Sequence, residues 1–181
     1  MQMKALACRV RWGLALVLAL GVWLLMQPLT AWACGGGVIC VDVDAPDGGD
    51  GQSWGTAYPS LHTALSAASA GNEIWVAEGT YYPGASGSRT ATFQLVSGVA
   101  VYGGFAGTES SRDARNWTAN VTVLSGDLDA SGDHTNNDAY HVVTGSGVTT
   151  TAVLDGFTIT GGYANGSGAS SDGAGVYNDA G

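Results

Sequence analysis

The sequence predicts an all-β fold: a solenoid of short stacked strands, closed at its leading end by one helix. Three observations predict it. The first is a recurring pulse of a short apolar strand, a glycine turn and another short strand. It is clearest at Val153-Leu154-Asp155-Gly156-Phe157-Thr158-Ile159-Thr160-Gly161-Gly162 and again at Gly173-Ala174-Gly175-Val176-Tyr177-Asn178. A strand this short cannot bury its apolar face alone and must stack on copies of itself. The second is glycine, 29 of 181 residues, far above the usual level of about 7% and without a Gly-X-Y period. These glycines stand at the ends of the pulses, where sharp bends call for positive φ. The third is pulse length. An antiparallel sandwich prefers longer strands joined by hairpin turns, whereas a parallel β-helix places short strands on each face and bends between them.

The elements follow in chain order. Lys4, Arg9 and Arg11 precede an apolar run from Trp12 to Met26, broken at Pro28, and Ala31-Trp32-Ala33 offers small residues where a signal peptidase reads. The run is shorter than the roughly 18–20 residues of a spanning helix, so 1–33 reads as a signal peptide and the mature part as free of a membrane span. Cleavage after Ala33 would leave Cys34 first, so a lipoprotein remains the alternative. Cys34 and Cys40 flank Gly35-Gly36-Gly37-Val38-Ile39; in an exported chain such a pair is a candidate disulfide, with free thiols as the alternative. Ile39 to Asp44 alternates like a half-buried strand. Pro59 to Ala70 places Leu61, Ala64, Leu65 and Ala68 on one helical stripe, with Gly71-Asn72 to end it. Further strands are expected at Glu73–Ala77, Gly79–Tyr82, Thr92–Leu95, Val99–Tyr102, Val121–Leu124, Tyr140–Val143, Thr151–Leu154, Phe157–Ile159 and Val176–Tyr177, with a polar excursion over Glu109–Asn120. The expected organisation is therefore a signal peptide over 1–33, an N-terminal cap and first coil over 34–90, and coils over 91–181.

Charge narrows the function. Beyond residue 33 there are three arginines, no lysine and fifteen acids, a net charge of about −12. Such a surface repels phosphate backbones and anionic headgroups, so nucleic-acid binding is excluded.

The stretch from Val41 to Tyr82, opening VDVDAPDGGDGQSWGTAYPSL, resembles the N-terminal capping region of bacterial secreted right-handed parallel β-helix proteins of the pectin-lyase-like fold. GVAVYGGFAGTES from Gly98 and LDGFTITGGYANG from Leu154 resemble the coils of the same group and the repeats of polymorphic outer-membrane proteins. The resemblance implies a right-handed solenoid on the cell surface or outside the cell. It implies a longer parent protein too, because the pulse before Gly181 opens further coils in that group. It does not imply one activity: the fold carries polysaccharide lyases and hydrolases as well as adhesins and display proteins. The expected role is non-enzymatic adhesion or structural display, with glycans or surface proteins as partners. A polysaccharide lyase or glycoside hydrolase, with catalytic residues partly beyond the chain, is the alternative.

No catalytic or cofactor-binding residue is picked out. Asp42, Asp44, Asp47 and Asp50 are weak calcium candidates, and Asp127, Asp129 and Asp133 form a second acidic loop; calcium takes six to eight oxygens from such loops. Neither cluster has EF-hand spacing, and aspartate also serves as a turn former. A lyase would need a basic side chain, for which Arg89, Arg112 and Arg115 are the choices. A hydrolase would need paired carboxylates, for which Asp127, Asp129 and Asp155 are the choices. His62, His134 and His141 show no ligand spacing. Trp54, Trp75, Tyr81, Tyr82, Tyr102, Trp117, Tyr140 and Tyr163 either stack on sugar rings from an exposed face or fill the interior; Trp75, inside a strand, reads as filler. Asn116-Trp117-Thr118, Asn120-Val121-Thr122 and Asn165-Gly166-Ser167 match the glycosylation pattern.

Overall fold

The computed structural model describes residues 34–179, and the leader expected over 1–33 lies outside them. The strands are β1 (Val38–Val41), β2 (Glu73–Ala77), β3 (Gly79–Tyr81), β4 (Phe93–Gln94), β5 (Ala100–Phe105), β6 (Thr122–Ser125), β7 (Val143–Thr144), β8 (Val153–Asp155), β9 (Phe157–Thr160) and β10 (Val176–Tyr177). They form three small sheets, ordered β1-β2-β5-β8, β3-β6-β9 and β10-β7-β4. Every pairing between these strands is parallel. Among the described residues, one α-helix, α1 (Leu61–Ala67), and short 3-10 turns at Trp54–Thr56, Arg112–Ala114 and Gly168–Ser171 complete the regular structure.

This corrects the expected fold class. The all-β, right-handed parallel β-helix solenoid with a capping helix is not what is found: the described residues are 12% helical and 25% strand, their strands lie in three separate small sheets, and no solenoid is identified among them. The physical reason is strand length. With strands of two to six residues, and ladders only two residue pairs long in the sheet of β4, β7 and β10, most of the backbone runs in turns and loops. There it is satisfied partly by turn bonds such as Ala45 N–H to Asp42 O at 3.0 Å, and partly by isolated bonds between distant segments, such as Gly71 N–H to Gly98 O at 2.8 Å and Gly87 N–H to Asn137 O at 3.0 Å.

The three sheets and α1 share one apolar core. Ile39 and Val41 of β1, Ile74 and Val76 of β2, Val101 of β5, Tyr81, Phe93, Leu124 and Val143 meet Leu61, Ala64 and Leu65 of the helix. Fully burying a side chain of this size stabilises the fold by about 1.5–3 kcal/mol. That burial is what holds a seven-residue helix, far too short to persist alone. The helix is shorter at both ends than the apolar stripe predicts. At its start Ser60 is extended, with φ −121°. At its end the Asn72 Oδ1 accepts the Ser69 amide at 2.8 Å, and the Asn72 amide donates to Ser69 O at 2.9 Å. This local turn takes the Ser69 amide that a longer helix would direct to Leu65 O.

The first sheet is covered on both faces, which explains four consecutive buried residues in β2. Ile74 and Val76 face the shared core. On the other face Trp75 stacks on Phe105 with centroids 4.9 Å apart, and Trp54 lies 5.7 Å from the same ring. The indole nitrogens donate to Glu73 Oε2 at 2.8 Å and to Glu109 O at 2.9 Å. Cys34 and Cys40 are joined as a disulfide, Cα atoms 5.8 Å apart, within a smaller cluster that includes Ala57.

Candidate functional site

Register builds the site on the outer face of the first sheet. Cys40 pairs with Trp75, Trp75 with Tyr102 and Tyr102 with Asp155, so these four side chains form one row on the face away from the shared core, buried at Cys40 and Trp75 and opening toward Asp155. The row turns into the second sheet at Gly156, the single residue between β8 and β9. Gly156 has φ +83°, and a Cβ there would lie 2.7 Å from Gly103 O and 2.8 Å from Arg115 Nη1. Only glycine allows both the conformation and the approach.

The excursion after β5 brings Trp117 to this corner. Gly104, with φ +95°, lets the Trp117 backbone approach so closely that a Cβ would sit 2.7 Å from the Trp117 Cα. The Asn116 amide donates to Gly104 O at 2.8 Å. Asn116 Oδ1 accepts from the Thr118 amide at 3.2 Å, from Thr118 Oγ1 at 2.7 Å and from the Ala119 amide at 3.1 Å. The Asn-Trp-Thr triplet thus works as a side-chain-closed turn that holds Trp117 outward.

Arg115 ties the parts together. Its guanidinium lies 4.9 Å from the Tyr102 centroid and 5.2 Å from that of Trp117. Nη2 donates to Asp155 Oδ2 at 2.7 Å, and Nη1 donates to Gly103 O at 3.1 Å and Asp155 O at 3.3 Å. Arg112 reaches the same tyrosine: its guanidinium is 5.0 Å from the Tyr102 centroid, and Nη1 donates to Glu73 Oε1 at 2.8 Å. The Glu73 carboxylate, with a smaller contribution from Tyr102, holds Arg112 more firmly protonated than usual. Beside this assembly lies a hollow of about 280 Å³ lined by Trp117, Val121, Thr122, Asp155, Gly156, Phe157 and Thr158. Trp117 is 57% exposed, the most open large apolar side chain among the described residues, and its neighbour Val121 is 45% exposed.

The acidic loops divide differently from the sequence reading. Asp127 and Asp129 do converge, joined by Asp138 instead of Asp133, with one oxygen from each within 4.8 Å of the others. All six oxygens accept bonds inside the loop. Asp127 takes the amides of Ser131 and Gly132; Asp129 takes the Ser131 amide, Thr135 Oγ1 and Asn137 Nδ2; Asp138 takes the Thr135 amide and, more loosely, its hydroxyl. Bonding from Asn137, then Ser131, lowers the Asp129 carboxyl to about 2. Asp42, Asp44, Asp47 and Asp50 form no such group among the described residues. Asp42 Oδ1 accepts the Asp44 amide, and Asp50 Oδ1 accepts Thr56 Oγ1 and the Gln52 amide, bonds that lower the Asp50 carboxyl.

The groups considered for catalysis are dispersed or occupied. Asp155 pairs with Arg115 and stands outside the Asp127 group, so the Trp117 hollow has one carboxylate where glycoside hydrolysis needs two. Arg89 lies 4.1 Å from the Tyr140 centroid and donates to Asp138 O, Tyr163 O, Asn136 Oδ1 and Asn165 Oδ1, fastening three loops. His62 is 4.9 Å from Phe93 and bonded to Pro83 O, His134 stacks on Tyr163, and His141 stacks on Tyr177. Of the aromatic residues singled out from sequence, Trp75 and Tyr81 are interior, and Tyr82 and Trp117 are open. The sequence reading missed Val121, Thr158 and Asp138. Thr158 was legible as the outward residue of an alternating strand; Asp138 carried no signal, because its partner Thr135 is fixed only by the loop's path.

Comparison with protein-family models, with curated proteins and with solved structures finds no match to this chain. Among the described residues, no helix is long and apolar enough to cross a membrane.

Proposed function

We propose that this protein is an exported, non-enzymatic protein of the cell surface or extracellular space that binds glycans, in adhesion or structural display. The observation that carries the reading is the exposed Trp117 ring at the rim of the hollow, braced from behind by Arg115. A sugar ring presents apolar C–H faces and hydroxyl edges. An aromatic face takes the first, and the Asp155 carboxylate and Thr158 hydroxyl are placed for the second. The bracing means little side-chain freedom is lost on binding. Export is supported by the basic and apolar leader and by the Cys34–Cys40 bridge, since such bridges persist in oxidising compartments.

The test is fluorescence or calorimetric titration of the exported protein with a panel of oligosaccharides. Binding at millimolar or tighter affinity is expected, weakened about two- to tenfold by Trp117→Ala, since a stacked ring contributes about 0.5–1.5 kcal/mol. Binding unaffected by that substitution, or turnover of the sugar, refutes the reading.

A further inference from the structure

Two open aromatic rings flank the second sheet, Tyr82 just after β3 and Trp117 in the excursion before β6, and the sheet's outward face runs between the hollows they border. Thr80 of β3 pairs with Val123 of β6, and Val123 pairs with Thr158 of β9, so the three lie in one row across the sheet. Their neighbours Tyr81, Leu124 and Ile159 point the opposite way, into the core. Thr158 borders the Trp117 hollow. At the other end of the row, Thr80 borders a second hollow of about 230 Å³ that includes Val43, Ser60 and Tyr82. Tyr82 is 43% exposed and Val43 38%. Strands in a sheet lie about 4.8 Å apart, so the row from Thr80 to Thr158 covers about 10 Å before either ring is counted.

We propose that the two hollows are the ends of one binding platform, and that its ligand is an extended neutral oligosaccharide laid across β3, β6 and β9. The inference rests on the glycan reading above and adds to it length, a second contact and charge. Length follows from the separation of the hollows, which a single sugar ring does not bridge. The floor between them is small and uncharged, Thr80, Val123 and Thr158, so a chain of rings lies flat without displacing a bulky side chain. Neutrality follows from the lining: neither hollow is lined by a basic side chain, and the one charged lining residue is Asp155. Arg115, the nearest cation, is committed to that carboxylate and to Gly103 O. A uronate chain would approach a strongly acidic protein at two hollows that no basic side chain lines. Hydroxyls on Thr80, Thr158 and Ser60 suit a polyhydroxylated ligand, and the two rings suit its apolar faces.

The experiment titrates the exported protein, its Tyr82→Ala, Tyr82→Phe and Trp117→Ala variants, with neutral pentasaccharides of glucose, mannose and xylose in common linkages, the matching disaccharides, and a galacturonic acid pentasaccharide. Circular dichroism and melting temperature confirm that each variant is folded. A neutral pentasaccharide is expected to bind at least tenfold tighter than its disaccharide. Tyr82→Ala should weaken the pentasaccharide severalfold and leave the disaccharide unchanged, and Tyr82→Phe should retain binding because the ring face makes the contact. Equal affinity for long and short chains, indifference to Tyr82→Ala, or preference for the galacturonate overturns the platform while leaving the Trp117 site standing. Failure of every sugar to bind overturns both.

Discussion

Arg115 Nη2 lies 2.7 Å from Asp155 Oδ2, and this contact joins two segments forty residues apart in the chain. It fixes the excursion that carries Trp117 to the corner where β8 becomes β9. The arginine is largely buried while the aspartate stays half-exposed. Removing the arginine therefore loses packing on Tyr102 and Trp117 as well as an ion pair.

Arg115→Ala is expected to destabilise the fold by about 1–3 kcal/mol, more than an open surface pair contributes. Arg115→Lys should recover only part, because lysine lacks the planar fork that bonds Asp155 and Gly103 together. Urea unfolding of both variants measures this; a loss below a few tenths of a kcal/mol for the alanine variant contradicts the bracing role.

Gly156 and Gly87 have nearly the same φ, +83° and +82°, but different surroundings. A Cβ at Gly156 meets Gly103 O and Arg115, and one at Gly87 meets nothing within 4 Å. Gly87→Ala should cost about 1 kcal/mol, the conformational part alone. Gly156→Ala should cost roughly 2–4 kcal/mol, because strain and a backbone clash add. Equal melting temperatures for the two variants would show that the corner is not tightly packed.

The Cys34–Cys40 bridge closes a short loop at the leading end of the described chain. Its loss, in the paired serine variant, is expected to lower stability by about 2 kcal/mol on the loop-entropy relation. Intact-mass measurement before and after reduction checks that the bridge is present, and calorimetry of the serine variant checks the magnitude.

The Asp129 carboxyl titrates at about 2, below its unfolded value, because Asn137 and Ser131 bond its charged form. A depressed folded value means that the stabilisation is present above about pH 4, the unfolded titration range. It is lost as pH falls toward 2. Asp129→Asn should flatten the stability profile over that window, because it lowers stability near neutrality and changes little near pH 2. Carbon-detected NMR titration of the carboxyl gives the value directly, and a midpoint near 4 rules the network out.

Local chemistry made several elements legible before any coordinates. The apolar run in Glu73–Ala77, the strand at Phe157–Ile159, the stripe of Leu61, Ala64 and Leu65, and the glycine corner at Gly156 each follow from side chains acting within a few residues. Helix length was misjudged because Asn72, a polar residue beyond the stripe, competes for the Ser69 amide. The acidic group was half seen: Asp127 and Asp129 are close in sequence, whereas Asp138 arrives only when the loop folds back.

By itself, the sequence determined roughly where short strands fall, which cysteines could pair, and that the charge would be strongly negative, since periodicity, spacing and composition are properties of the chain; strand ends shifted by one to three residues, as at β5 and β7. The tertiary structure alone decided that the strands gather in three small sheets around a core shared with α1, and that Trp117, Arg115 and Asp155 meet. Parallel register joins residues dozens of positions apart, and the energy that selects it comes from burying Ile74, Leu124 and Phe93 together, which no local pattern encodes.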